Sequence, residues 1–238
     1  MDLSVSIVIP TFNEEKYLPK LLKSIEKQTI QPKEIIVSDA FSTDDTRKIA
    51  RSFGCKVVDG GLPGKARNCG AQAATQPLLL FLDADVIIPP KFLEKTIEEM
   101  MRKNYDIATC YVRAMSPLKI DKILYESINY YARLTKKIYP HLAGACIFVK
   151  KSLHSKVNGF DETLVLGEEH DYVRRAKKLG RVHYGYLQAY KVSHSVRRQA
   201  KEGRMYLSLK YILIEFHLIF IGKIKKNYFN YKFGEYTK

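Results

Sequence analysis

Cysteine is scarce in this 238-residue chain, and the four present, Cys55, Cys69, Cys110 and Cys146, lie too far apart to make a CxxC pair or any other metal-ligand spacing. A structural zinc module is thereby excluded, and the four are expected to be reduced core thiols. The chain also lacks internal repeats and low-complexity or disordered tracts. Its first apolar run, Val5 to Pro10, is too short for a signal peptide and has no basic leader, which argues against export and for a cytoplasmic chain. Acidic side chains are few: 25 Asp plus Glu face 40 Lys plus Arg, a formal charge of +15 that attracts anions of any kind. Eleven bases and three acids lie between Lys191 and Lys238, so a phosphate-rich surface is the natural partner of the tail.

What is present is enough apolar material, 46% of residues, to bury one substantial core. Val5-Ser-Ile-Val-Ile-Pro10 is the continuous β-branched run of a strand covered on both faces. Leu18, Leu21, Leu22 and Ile25 then recur at helical spacing between Glu14 and Gln28, and Glu34 to Ser38 supplies a second strand. The alternation continues with a helix over Thr46 to Phe53, a strand over Lys56 to Val58, a helix over Lys65 to Ala74 and a strand over Pro77 to Leu82. Through residue 90 this is a wound parallel α/β sheet. Beyond it the pattern predicts helices at Lys91 to Lys103, Ile120 to Lys137 and Glu168 to Leu179, and strands at Ile107 to Arg113, Ala145 to Val149 and Tyr186 to His194. No clean linker interrupts the chain.

Leu78-Leu-Leu-Phe-Leu82 followed by Asp83-Ala-Asp85 sets two carboxylates, two residues apart, at the carboxyl end of a buried strand. Open α/β sheets bind ligands there. Two hard oxygen ligands completed by phosphate oxygens suit Mg²⁺ or Mn²⁺, although a pair of turn-forming aspartates would look the same. Lys65 and Arg67 follow a glycine-rich loop at a helix start, where backbone N–H groups and two cations can face phosphate. Arg67 reads equally well as a solvated helix residue.

Three segments together, Val5-Ser-Ile-Val-Ile-Pro-Thr-Phe-Asn-Glu14, Glu34-Ile-Ile-Val-Ser-Asp-Ala-Phe-Ser-Thr-Asp-Asp-Thr46 and Leu80-Phe-Leu-Asp-Ala-Asp85, resemble in order and spacing the opening motifs of the family 2 glycosyltransferases. The resemblance continues through Gly64 to Gly70, Leu142 to Ala145, Gly167-Glu-Glu-His-Asp171 and Val192-Ser-His194, over roughly the first 200 residues. It implies a GT-A-type, Rossmann-like and mostly parallel sheet flanked by helices, and an inverting transfer of a sugar from a nucleotide-diphosphate donor to a hydroxyl. The nucleotide is expected at Pro10, Thr11, Glu14, Asp39, Lys65 and Asp83, with uracil favoured and guanine open. Asp83, Asp85 and His194 are the expected metal ligands for Mn²⁺ or Mg²⁺, with His183 a weaker alternative to His194. The second residue of the family's Glu-Asp motif is its general base. That position here is Glu169, one methylene longer, with Glu168 the alternative if the register differs by one. The pattern's second acid and glycine after Asp39 are replaced by Ala40 and Phe41.

Tyr206 to Ile221 is strongly apolar, but only twelve residues separate Lys210 from Lys223, short of a membrane span. At about 100° per residue, Leu207, Tyr211, Ile214, Leu218 and Ile221 form one apolar arc; Leu209, Ile212, Leu213, Phe216, Ile219 and Phe220 form another. One arc can cover the catalytic domain. The other, with Lys223, Lys225, Lys226 and Lys232 behind it, suits an anionic membrane surface, a dimer partner or the core. The expected division is a catalytic domain over 1–203 and a C-terminal helical extension over 204–238, peripheral on the inner face of the cell membrane where it meets lipid.

Two rival functions share some of these features. A nucleotidyltransferase needs a Gly-rich, Arg-containing loop after its first strand, where this chain has Thr11-Phe-Asn-Glu-Glu15. A nucleic-acid-binding protein would account for the charge and leave the strand-end aspartates unexplained, so nucleic acid is not an expected partner. The acceptor is unnamed by the sequence: a lipid-linked hydroxyl or a growing glycan, met by the Tyr-rich stretch from Arg113 to His141.

Overall fold

The computed structural model describes residues 4–231. Lys232, the last of the lysines following the C-terminal helix, lies outside the described residues. Strands β1 (Val5–Thr11), β2 (Glu34–Asp39), β3 (Lys56–Asp59) and β4 (Leu78–Leu82) alternate with helices α1 (Leu18–Glu26), α2 (Thr46–Ser52) and α3 (Pro63–Ala73). β1 pairs in parallel with β2 on one side and β4 on the other, and β3 extends the sheet beyond β2. The period-two alternation sends Ile7, Ile9, Leu80 and Leu82 into one core layer, and Val8, Leu79 and Phe81 into the other. Both faces are covered, which is why β4 is apolar at all five positions and β1 at most of its own. Against β1, α3 approaches so closely that a Cβ on Gly70 would lie 2.2 Å from Val8 Cγ1.

The chain continues through β5 (Val86–Ile87), α4 (Phe92–Arg102), β6 (Ile107–Ala114), α5 (Lys119–Thr135), β7 (Cys146–Lys150) and α6 (Lys151–Lys156). There follow α7 (Glu168–Lys178), β8 (Tyr184–His194), α8 (Arg197–Glu202) and α9 (Arg204–Phe220). The eight strands form one sheet in the order β3-β2-β1-β4-β7-β6-β8-β5. Its second half is mixed: β7 runs antiparallel to β4 and β6, β8 parallel to β6, and β5 antiparallel to β8. A bulge in β8 opposite Cys110 and Tyr111 resets its register. The amides of Gln188 and Ala189, turned out of the ladder there, both donate to Glu99 Oε2 at 2.8 Å.

Several elements differ from the sequence reading. The α1 helix opens at Leu18 rather than Glu14, because Asn13 adopts φ +54° and Glu14 begins a turn. Pro63 starts α3 two residues before Lys65, in the first turn, where a missing N–H breaks no helical bond. β5, α6 and α8 are short additions that the apolar pattern did not reveal. All four cysteines are unpaired; three are buried and Cys69 is half-buried. On α9, Leu207, Ile214 and Leu218 are buried and Tyr211 half-buried, whereas the second arc, from Leu209 to Phe220, is exposed. Ile221, counted with the first arc, is exposed beyond the helix end. Among the described residues no helix is long and apolar enough to cross a membrane.

Candidate active site

The chain leaves β1 outward to β2 and β3 and returns to β4 on the opposite side, so the carboxyl ends of β1 and β4 flank a topological switch point. A cleft of about 660 Å³ opens there. Pro10, Thr11 and Glu14 reach it from the end of β1, Asp83 and Asp85 from the end of β4, Glu169 from the start of α7 and His194 from the end of β8. The resemblance-based candidates therefore converge, apart from Asp39, Lys65 and the alternative ligand His183. Asp39 is fully buried and off the cleft wall: it accepts bonds from Thr11 Oγ1 at 3.0 Å and the Ser42 amide at 3.0 Å, with Arg47 3.6 Å away. Lys65 is exposed, its aliphatic stem lying over Gly61, and is likewise off the wall. His183 is exposed and bonded to the Asn104 carbonyl, away from the cleft.

Arg67 is the helix-start cation that turns inward. It is buried, its Nη1 donates to Glu168 Oε1 at 2.7 Å, and its Nη2 reaches Asp83 Oδ1 at 3.2 Å. The signal in the sequence was its position on one helical face with Gly64, Gly70 and Ala71, the face that packs inward. Burial pushes the Glu168 carboxyl up to about 7, reinforced by the charge of Glu169 and opposed by Arg67. Burial also raises Glu169 and Asp83, against the pull of Arg67. Gly167, at φ +75°, provides the left-handed turn that delivers both glutamates to the first turn of α7.

At the other wall β5 and β8 pair so that Val86 faces His194, which brings Asp85 Oδ1 to 3.5 Å from His194 Nε2. His194 Nδ1 lies 2.8 Å from the Tyr125 hydroxyl, which donates to the Ser195 carbonyl at 3.0 Å. Nε2 is thus the ring nitrogen turned toward Asp85, and Nδ1 the one turned toward Tyr125. Arg197, which the sequence did not single out, grips both carboxylate oxygens of Glu14, Nη1 to Oε2 at 2.8 Å, and places Nε 3.2 Å from Asp85 Oδ2. Burial raises the Glu14 carboxyl to about 7 in spite of that partner. Phe41, where the resembled pattern has glycine, is 64% exposed and holds φ +59°.

Among the described residues no three carboxylate, imidazole or thiolate side chains converge closely enough to hold a metal by themselves. Asp85 and His194 do bring a carboxylate oxygen and a ring nitrogen within 3.5 Å of one another, and a hard cation that takes its other ligands from phosphate and water needs no larger protein cage.

The family model for glycosyl transferase family 2 matches residues 6–157, more than half of the sequence. The chain belongs to glycosyl transferase family 2. That match takes in Asp83 and Asp85 and stops before Glu169 and His194. This family 2 chain is 40% identical over 112 residues to the 4,4'-diaponeurosporenoate glycosyltransferase of Staphylococcus haemolyticus (strain JCSC1435), covering 43% of this chain and 30% of that protein. It is 36% identical over 103 residues to the validoxylamine A glucosyltransferase of Streptomyces hygroscopicus subsp. limoneus, covering 39% and 23%. The aligned stretches thus span under a third of either relative. Among solved structures, the mannosyltransferase PcManGT from Pyrobaculum calidifontis in complex with GDP-Man and Mn²⁺ superposes with a TM-score of 0.71 at 19% identity, covering 91% of this chain and 64% of that one. S. aureus TarS 1-349 in complex with UDP-GlcNAc gives 0.66 at 23% identity, covering 90% and 66%. At these identities the likeness is one of fold, that of the GT-A glycosyltransferases.

Proposed function

We propose that this protein moves a sugar from a nucleoside-diphosphate donor, UDP-linked or GDP-linked, to an acceptor hydroxyl, with inversion at the anomeric carbon. The observation that carries the reading is the convergence of Asp83, Asp85, Glu169 and His194, from three separate parts of the chain, on one cleft at the switch point. Family membership favours it over a nucleotidyltransferase, and the nucleotide sugars named in PcManGT and TarS support a donor of that class.

Asp85 and His194 would hold a divalent cation, Mn²⁺ or Mg²⁺, with Asp83 beside them; Mn²⁺ in the PcManGT complex supports the choice of class. When bound, the cation supplies positive charge that stabilises the departing diphosphate. Thr11 and Pro10 receive the nucleotide, and Asp39 acts on it through the Thr11 hydroxyl that it holds. Lys65 reaches the donor by swinging off Gly61. Glu14 acts together with Arg197, which occupies both its oxygens. Arg67 holds Asp83 and Glu168 in place and leaves Glu169 as the carboxylate available for chemistry.

Glu169 takes the proton of the acceptor hydroxyl as that oxygen forms its bond to the anomeric carbon. The bond from that carbon to the diphosphate breaks, and its electron pair leaves on the phosphate oxygen. The acceptor enters along Tyr125 and Ile128 of α5, an apolar wall suited to a lipid-linked hydroxyl. A thermal-shift screen of UDP- and GDP-sugars with Mn²⁺ tests the reading: one donor series should raise Tm with the metal present, and a flat response across the panel would argue against it.

A further inference from the structure

Helices α5 and α9 lie side by side and parallel. Arg204 Nε donates to Asp121 Oδ1 at 2.6 Å near both N-termini, and the Tyr131 hydroxyl donates to Glu215 Oε1 at 2.9 Å near both C-termini. Each helix buries one stripe: Asp121, Tyr125, Asn129 and Ala132 on α5; Leu207, Lys210, Ile214 and Leu218 on α9. At about 100° per residue, the bridging residues fall on the flank that each helix turns to the other, so the two remaining faces look outward in the same direction.

Those outward faces are apolar. On α9, Met205, Leu209, Ile212, Leu213, Phe216 and Phe220 are all exposed with no charged residue among them, Ile212 at 64%. On α5, Ile120, Ile123, Tyr130 and Leu134 continue the surface, Ile123 at 63%. A contiguous apolar face of this kind marks an interaction site.

The α5 edge of the face is basic, and further lysines follow the C-terminal end of α9. Exposed Lys119, Lys122, Arg133 and Lys137 border it along α5, and exposed Lys225 and Lys226 follow α9. The nearby acids are taken up internally: Asp121 by Arg204, Glu126 by Lys191, Glu215 by Tyr131. Two copies of the chain packed with α5 against α5 would set one basic edge against another, which disfavours that dimer. An apolar strip flanked by cations along α5 and after α9 matches a bilayer whose surface is anionic.

We infer that α5 and α9 together form a docking face for an anionic bilayer, both helices lying in the headgroup plane. The inner sides of the same helices, through Tyr125, Ile128 and Tyr211, line the cleft, so docking holds the cleft mouth at the lipid surface. Vesicle binding and donor binding are separate measurements, and either reading can fail without the other.

The full chain is sedimented with phosphatidylcholine vesicles, with and without about a third phosphatidylglycerol, at low and high ionic strength. The expected result is pelleting on anionic vesicles at low salt, weaker by about tenfold or more without phosphatidylglycerol or at high salt. Ile212→Glu with Phe216→Glu, and separately Ile123→Glu, should each reduce pelleting by a similar factor with Tm unchanged, since all three positions are exposed. Lys225→Glu with Lys226→Glu should weaken binding to the anionic vesicles alone. No pelleting of the wild-type chain at low salt, or undiminished pelleting of the folded variants, overturns the inference. A dimer in solution that the same apolar substitutions dissociate, without vesicle binding, would assign the face to a second copy and also overturn it.

Discussion

Arg67 donates to Glu168 at 2.7 Å although 101 residues separate them along the chain. The contact ties the start of α3 to the start of α7 inside the site. Because the same guanidinium reaches Asp83, removing it would leave two carboxylates without their cation. Arg67→Met is expected to lose about 3–5 kcal/mol of stability, read as a lower urea midpoint. The loss in Arg67→Met/Glu168→Gln should be smaller than the sum of the two single losses, since each partner's removal relieves the other's isolation. Simple additivity would show that the pair is not coupled.

The assignment of Glu169 as base and Glu168 as a held partner separates two otherwise similar substitutions. Glu169→Gln keeps size and removes the proton acceptor, so turnover should fall by roughly 10²- to 10⁴-fold with nucleotide affinity almost unchanged. Glu168→Gln should act mainly on stability. The reverse pattern, with Glu168→Gln inactive and Glu169→Gln active, would move the base by one residue.

Burial also gives the stability of the ligand-free chain a definite pH dependence. Glu168 and Glu14 titrate near 7 in the fold against 4.5 for a free glutamate, so between those values the folded chain holds protons that the unfolded chain has lost. Stability should be highest at the acid end of that window and fall as pH rises through it, by on the order of 3 kcal/mol for each group. Asp161, held down at about 2 chiefly by Lys223, acts in the opposite sense and only at lower pH. Urea midpoints measured across the window should decline in the wild type and decline less in Glu168→Gln. A rising midpoint would contradict the buried-carboxyl account.

Phe41 supplies a test of the backbone alone. A phenylalanine at φ +59° carries a strain that glycine does not, and its ring is largely exposed, so little packing is lost with it. Phe41→Gly should raise stability by about 1 kcal/mol, seen as a higher urea midpoint; a lower midpoint would mean that the ring has a packing role.

The first half of the fold was legible because its strands are covered on both faces and stop sharply: β4 is five apolar residues ended by Asp83, which located the two aspartates as well as the strand. The second half was harder to read. β5 has two residues, too few for any period, yet its pairing with β8 is what brings His194 to Asp85. Glu169 was reached only by resemblance, since acids at a helix start are equally explained by the helix dipole. Arg197 gave no local signal, because its partner Glu14 is 183 residues away and α8 has no buried face.

The aspartates after β4 are expected to bind a donor's diphosphate through a divalent cation. The most direct measurement is calorimetric titration of the full chain with UDP and with GDP, in Mn²⁺ and in chelator, for the wild type and Asp85→Ala. The account predicts that Mn²⁺ tightens one of the two nucleotides by about tenfold or more, and that this gain disappears in a folded Asp85→Ala chain. Absence of binding of either nucleotide to the folded wild type, or an unchanged metal dependence in Asp85→Ala, would contradict it.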